Sequence, residues 1–556
     1  MAIYRFTLCI SLAVLLGCFS CIGKKGEERP RNMILIIVDT LRQDHLGCYG
    51  YDRAHTPSID QLASGGTRFN QARTAVPLTL PSITSILTST YPLYHNIKVN
   101  GSYTLEDSTL TLAEVFKKNG FRTAAFIGSI ALARQHGLYQ GFDLYDEEFN
   151  EPDHAPDTGA VPLRWVQSRG QRKASEVVDS AIGWLEKMKG EPFFLFLHFF
   201  DPHLPYDPPE YLSMVNYAPE ETDMLAYDSE VAFVDGQIGR LMAALEGYRL
   251  TDETLIVFVA DHGEGLKEHK EVGHGHFLYD STIRVPLIFF FPPLIPAGQA
   301  ISGNVRTIDI TPTILDFFDF DPSEGMQGAS LKDQMLGGDE PIGDLSYFET
   351  YYNRIYMGWS VLKGIQWRDW KYVKAPRREL YNLAVDSGET MNLIGEHEDI
   401  ERTMDAKLDS VVSLYSGRSR RISRTIPLDE EVKGLLESLG YFTQPVEMPE
   451  SSDSMLPDPK DMIDEFNRKQ EIIEQIYTSG TLIQIGKYDQ SIRILAELRG
   501  DGENQWMIDY NLGLAFMGKG DLEKAREKLF EALEQVPVGP ERVKVREALR
   551  YLETKQ

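Results

Sequence analysis

Three short apolar runs, each closed by an aspartate, constrain this chain more than any other feature. Met33-Ile34-Leu35-Ile36-Ile37-Val38 is followed by Asp39. Residues 193–200 (Phe-Phe-Leu-Phe-Leu-His-Phe-Phe) are followed by Asp201-Pro202-His203. Leu255-Ile256-Val257-Phe258-Val259-Ala260 is followed by Asp261-His262-Gly263. Runs this short, rich in β-branched and aromatic residues and without polar alternation, predict strands covered on both faces, as in a parallel sheet. Helical patterns at 109–118 and 174–188 lie between them, which predicts an α/β domain. Ligands of open α/β sheets bind beyond the carboxyl ends of the strands. One aspartate after a strand reads best as a helix cap or turn former. Three, two of them with a nearby histidine, predict a centre for a divalent cation that accepts carboxylate and imidazole.

Residues 76–88 (Val-Pro-Leu-Thr-Leu-Pro-Ser-Ile-Thr-Ser-Ile-Leu-Thr) predict a helix, with Pro81 in its first turn and Ile83, Ile86 and Leu87 on its apolar face. Thr79 then sits at the helix entrance, where unpaired backbone N–H groups and the helix dipole favour an alkoxide and a bound anion. Alone, Thr79 would be a helix cap. Beside a divalent ion, its hydroxyl becomes a candidate nucleophile.

The segments Asp39-Thr40-Leu41-Arg42, Thr56-Pro57-Ser58-Ile59-Asp60-Gln61-Leu62-Ala63, Thr79-Leu80-Pro81-Ser82, Asp201-Pro202-His203-Leu204-Pro205-Tyr206, Asp261-His262-Gly263-Glu264 and His274-Gly275 form an ordered set. With Phe277-Leu278-Tyr279-Asp280 and Glu379-Leu380-Tyr381-Asn382-Leu383, this set resembles the sulfatase branch of the alkaline phosphatase superfamily. The resemblance implies an alkaline phosphatase-like three-layer sandwich around a large, mainly parallel sheet. It also implies a metal-dependent ester hydrolase. Sulfatases of that branch begin their catalytic motif Cys/Ser-x-Pro-x-Arg with the residue that becomes formylglycine. Here Thr79 and Ile83 occupy its ends, so no formylglycine is expected. Thr79, and His262 after Asp261, are similar instead to the nucleotide pyrophosphatase/phosphodiesterase branch, which uses a threonine nucleophile and two zinc ions. Its oxyanion-binding asparagine corresponds to Asn100.

Carried over position by position, the resemblance implies one ion held by Asp39, Thr79, Asp261 and His262. It implies a second held by Asp201, His203 and His274. His203 is alternatively a substrate contact, and His276 competes with His274. One or two divalent ions are expected, zinc first, with manganese or calcium as alternatives. The leading reading is a phosphate-ester hydrolase, a diesterase or phosphotransferase, working through a covalent Thr79 ester. The alternatives are a sulfuric ester hydrolase and a non-catalytic repeat scaffold on a retired enzyme fold.

The ends of the chain read differently from its body. Cys9, Cys18 and Cys21 crowd the first 21 residues, leaving only Cys48 beyond them, which excludes a disulfide scaffold. Residues 1–17 have the short apolar core of an export signal and end in Leu15-Leu16-Gly17 before Cys18. That ending resembles the bacterial lipobox, which implies lipid on Cys18 and a membrane-anchored lipoprotein facing the periplasm or cell surface; Cys21 is the second candidate. Residues 18–31 would be a tether, 32–425 the catalytic domain, 426–463 a linker and 464–556 a helical region. In that region Leu512, Gly513, Phe516, Ala525, Leu529, Ala532 and Pro537 fit the tetratricopeptide repeat, and Gly486-Lys487 recurs 34 residues later as Gly520-Asp521. The tail is expected to bind a protein partner, to self-associate or to cap the enzyme. With 56 Lys+Arg against 83 Asp+Glu, a net charge of −27, the chain is a poor non-specific ligand for nucleic acid. An anionic ester must therefore be met locally, by metal ions or a few placed donors.

Overall fold

The computed structural model describes residues 29–149, 170–204, 206, 222–338, 343, 345–416, 423–428, 432–434, 436, 456–500, 505–536 and 540–554, apart from 189 and 485. The signal segment, Cys18 and residues 18–28 of the tether lie outside them, as does most of the stretch read as a linker.

The three apolar runs are the three central strands of one nine-stranded sheet. Asn32–Val38 lies between Phe193–Phe199 and Thr254–Ala260, parallel to both. All seven residues of each strand are buried, which requires cover on both faces. Arg122–Phe126 and Leu144–Asp146 extend the sheet in parallel on one side. On the other side Leu287–Phe290 runs antiparallel, followed by Thr67–Arg73, which also pairs with Gln299–Arg306 and Arg284–Val285. The fold is alkaline phosphatase-like, α/β with a large, mixed but mainly parallel sheet.

Register decides where the strand ends meet. Val38 pairs with both Ala260 and Phe199, so the three chains leave the sheet at one level. The next residues, Asp39 and Asp261, therefore emerge side by side.

The predicted helices form with shifted ends. The first is Leu112–Lys118, opened by a capping box in which Thr111 and Glu114 satisfy each other's backbone N–H groups. The second is Ala174–Leu185, continued by a 3-10 turn at Glu186–Met188. A smaller antiparallel sheet, Leu345–Thr350, Leu362–Trp367, Trp370–Lys374 and Glu379–Asn382, follows the main domain and packs against the helix Glu398–Ser416.

The tail is helical: Pro459–Gln484, Tyr488–Leu498, Gln505–Lys519, Leu522–Gln535 and Pro540–Thr554. Gly486 (φ 75°) and Gly520 (φ 83°) occupy equivalent left-handed turns between helices, a conformation glycine adopts without a Cβ clash. The first tail helix begins at Pro459, inside the stretch read as linker, because Ile463 is buried with Phe277, Leu278 and Tyr279 of the catalytic domain.

Candidate active site

Asp39, Asp261 and His262 leave their strands fully buried. In each, one polar atom is used locally and one is left bare. Asp261 Oδ1 accepts the His262 N–H at 2.7 Å and the Thr40 N–H at 3.3 Å. Asp39 Oδ2 accepts the Thr79 hydroxyl at 3.4 Å. His262 Nδ1 lies 2.9 Å from the Gly263 carbonyl and so carries the ring proton. The remaining atoms are Asp39 Oδ1, Asp261 Oδ2 and His262 Nε2, all buried without a hydrogen-bond partner. His262 Nε2 is 3.5 Å from each of the two oxygens. Buried polar atoms are ordinarily paired, so two bare carboxylate oxygens, each 3.5 Å from a bare imidazole nitrogen, fit a divalent cation.

The electrostatics agree. Burial, then the charge of Glu264, raises Asp39 well above the usual carboxylate range. Burial, then Asp39, does the same to Asp261. Burial, then the neighbouring His274, drives His262 well below the usual imidazole range, leaving a neutral ring able to ligate. Two buried carboxylates sharing one space are costly unless a cation lies between them.

Local backbone serves this arrangement. Thr40 is β-branched and still adopts φ 53°, a strained conformation that turns its N–H to Asp261. The Tyr227 hydroxyl braces the turn, accepting the Arg42 N–H and donating to the Thr40 carbonyl, both at 2.8 Å. Gly263 has the Ser281 carbonyl oxygen 2.1 Å from where a Cβ would stand, so only glycine fits after His262.

Thr79 is the first residue of the helix Thr79–Thr88 rather than its cap, a role that falls to Leu78. Its hydroxyl is thereby released toward Asp39. Asn100 Oδ1 accepts the Leu80 N–H at 2.8 Å, which fixes the amide's orientation. Asn100 Nδ2, buried and without a partner, is thus the donor that remains available.

His198 was not anticipated. The predicted strand absorbed it as one more residue of an apolar run, yet its Nε2 lies 3.5 Å from Asp39 Oδ2. Asp39, His198 and Asp261 each offer an atom within 4.8 Å of the others. The Gly128 N–H meets His198 Nδ1 at 3.4 Å, so the ring proton sits on Nε2 and faces the carboxylate. His198 Nε2 is itself buried without a hydrogen-bond partner and stands by Asp39 Oδ2, while His262 stands by Oδ1. The available signal was an imidazole inside an otherwise apolar strand.

Asp201 has a structural partner. One of its oxygens accepts the Ala174 N–H at 2.7 Å, the unpaired donor at the start of the helix Ala174–Leu185. His203 and His274 do come together, with ring centroids 5.2 Å apart, and His274 is 4.4 Å from His262. The carboxylate beside them is Glu264, whose Oε1 lies 3.0 Å from His274 Nδ1 and whose Oε2 is bare. Glu264 is fully buried. His276 has other neighbours: Tyr352, Trp359 and Phe466 surround its ring, and Asn353 Oδ1 is 2.7 Å from its Nδ1.

Residues 31–320, just over half of the chain, match the family described as Sulfatase. The chain belongs to the sulfatase family. Residues 270–413 also match the C-terminal region of N-sulphoglucosamine sulphohydrolase. An ulvan-active sulfatase of Formosa agariphila is 25% identical over 72% of this chain and 86% of its own length. An arylsulfatase of Clostridium perfringens is 26% identical over 67% of this chain and 92% of its own. Among solved structures, a protein in complex with its substrate D-glucosamine-2-N,6-O-disulfate superposes with a TM-score of 0.59 at 22% identity, covering 70% of this chain and 99% of that one. A phosphonate monoester hydrolase of Agrobacterium radiobacter superposes with a TM-score of 0.58 at 22% identity, covering 76% and 100%. This sulfatase-family chain is thus an ester hydrolase by family, with Thr79 at the position where the resemblance puts cysteine or serine.

Proposed function

We propose that this chain hydrolyses an anionic ester at the Asp39–Asp261–His262 cluster through a covalent Thr79 ester. The observation that carries the reading is the Thr79 hydroxyl, buried and 3.4 Å from Asp39, at the edge of three bare ligand atoms. A divalent ion on those atoms would acidify the hydroxyl and polarise the substrate. Asp39 Oδ2 is placed to take the hydroxyl proton. Thr79 Oγ then forms the new bond to the central sulfur or phosphorus, and the ester oxygen departs with a proton from solvent. Asn100 Nδ2 donates to the oxyanion that develops. Water cleaves the threonine ester and restores the hydroxyl.

The relatives' names support sulfate as the group transferred. A specific observation favours a second reading, a phosphate or phosphonate ester. Threonine carries one hydroxyl and a methyl on Cβ, so it cannot supply the aldehyde hydrate of the formylglycine sulfatases. Purified protein with zinc or manganese, given aryl sulfate, aryl phosphate and aryl phosphodiester in parallel, separates the two. Fastest turnover of the sulfate supports the first reading, and fastest turnover of a phosphorus ester the second. No turnover of any of them, with no bound metal by elemental analysis, returns the chain to a scaffold role.

Lipidation of Cys18 and exposure beyond the cytoplasm belong to the same proposal. Cys18→Ala is expected to shift the chain from the membrane to the soluble fraction. Unchanged membrane association in that variant would overturn the anchor. The tail's helix pairs support a tetratricopeptide-like region whose ligand is a protein segment.

A further inference from the structure

We propose that the first tail helix, Pro459–Gln484, is part of the active-site scaffold, with Phe466 and Asn467 as positioning residues for His274. Only the kinetic readout below rests on the hydrolase reading.

The segment from Gly263 to Tyr279 leaves the third central strand and carries Glu264 and His274 to the cluster. Its inner side is tied to the catalytic domain. The Gly263 N–H donates to the Thr282 carbonyl at 2.8 Å, and the Glu264 N–H to the Ser281 carbonyl at 3.0 Å. Glu271 Oε1 accepts the His276 and Phe277 N–H groups at 2.9 and 3.0 Å. Arg42 reaches over the near end, bonding Glu268 at 2.7 Å and the Glu264 carbonyl at 3.2 Å.

The far end is held by the tail helix. Asn467 Nδ2 donates to the Lys270 carbonyl at 2.6 Å, and Asp464 pairs with the Lys270 ammonium at 2.6 Å. Phe466 packs edge-on against the His276 ring at 4.6 Å, two residues from His274. Ile463 is buried against Phe277, Leu278 and Tyr279. The Lys270–Asp464 pair is largely exposed and contributes little by itself. The Asn467 bond and the Phe466 contact carry the attachment.

The segment between these ties needs external support. Lys267, His269 and Lys270 all have positive φ, 86°, 52° and 66°, although none is glycine. Such conformations persist where the surroundings impose them. Asn467 grips the carbonyl of one of the three, and Phe466 packs on the His276 ring further along the segment. The pairing of Gly265–Leu266 with Val272–Gly273 and the His269 contact with the Gly388 carbonyl would remain without the helix, but Lys270 and His276 would lose their outer ties, and His274 is expected to shift with them.

The test uses the full chain carrying Phe466→Ala, Phe466→Tyr or Asn467→Ala, with Leu552→Ala as a control. Leu552 is buried in the last tail helix, away from these contacts. Amide hydrogen exchange over 265–277 is expected to quicken about tenfold in Phe466→Ala and Asn467→Ala, to recover in Phe466→Tyr, and to stay unchanged in Leu552→Ala. With a substrate in hand, kcat is expected to fall about tenfold in Phe466→Ala while KM changes little. Wild-type exchange over 265–277 in both Phe466→Ala and Asn467→Ala overturns the proposal. So does equal quickening in Leu552→Ala, which would mark a general loss of stability. A wild-type protein that turns over no ester would refute the hydrolase reading, while the exchange result still decides the positioning role.

Discussion

Replacing Thr79 with alanine is expected to abolish turnover, lowering kcat by at least ~10³-fold, while bound metal stays near the wild-type level. Two physical points separate these effects. The Thr79 hydroxyl is hydrogen-bonded to Asp39 Oδ2 at 3.4 Å, and alanine offers nothing that can form the covalent ester. The bare ligand atoms are Asp39 Oδ1, Asp261 Oδ2 and His262 Nε2, none of which belongs to Thr79. The Thr79 side chain is small and its loss leaves the helix Thr79–Thr88 intact, since alanine favours a helix more than threonine does. Steady-state kinetics with metal analysis on one preparation checks both halves. Full activity in the variant would remove the nucleophile from the proposal. Lost activity with lost metal would make Thr79 chiefly a ligand.

The second large effect concerns the metal. Chelation is expected to lower the melting temperature of the wild-type protein, and zinc or manganese to restore it. An ion at ~100 times its dissociation constant stabilises the native state by about 2.7 kcal/mol. His198→Ala is expected to weaken ion binding by ~10–100-fold, the usual cost of losing a group that orients a metal ligand. Calorimetric titration on the chelated variant gives that affinity directly. An apolar-core role for His198 predicts the opposite pattern, with a less stable apo protein and unchanged affinity. Unchanged affinity would therefore remove His198 from the site.

Much of the site was legible because it follows from local pattern. Asp39, Asp261 and His262 follow apolar runs too short and too β-branched to be anything but buried strands, and parallel strands bring their ends to one edge. Thr79 was legible from Pro81 and the apolar face behind it. What the sequence did not show shares a cause. Asp201 also follows a central strand, yet its carboxylate turns to the Ala174 N–H. The same strand also brings His198 Nε2 to 3.5 Å from Asp39 from inside the run. The burial of Glu264 could not be read from the sequence, because it depends on the following segment folding back under Arg42 and the tail helix.

By itself, the sequence determined the α/β class, the central strands, the helix that presents Thr79 and a set of candidate metal ligands at the strand ends. These depend on hydrophobic period, strand length and capping, which act over a few residues. Only the tertiary structure decided which atoms of those residues remain bare, that His198 stands beside Asp39, and that a helix some 190 residues downstream contacts the segment carrying His274. Those outcomes depend on register between distant strands and on contacts between elements far apart in the chain. Which oxygen of a carboxylate finds a partner is settled only when both neighbours have arrived.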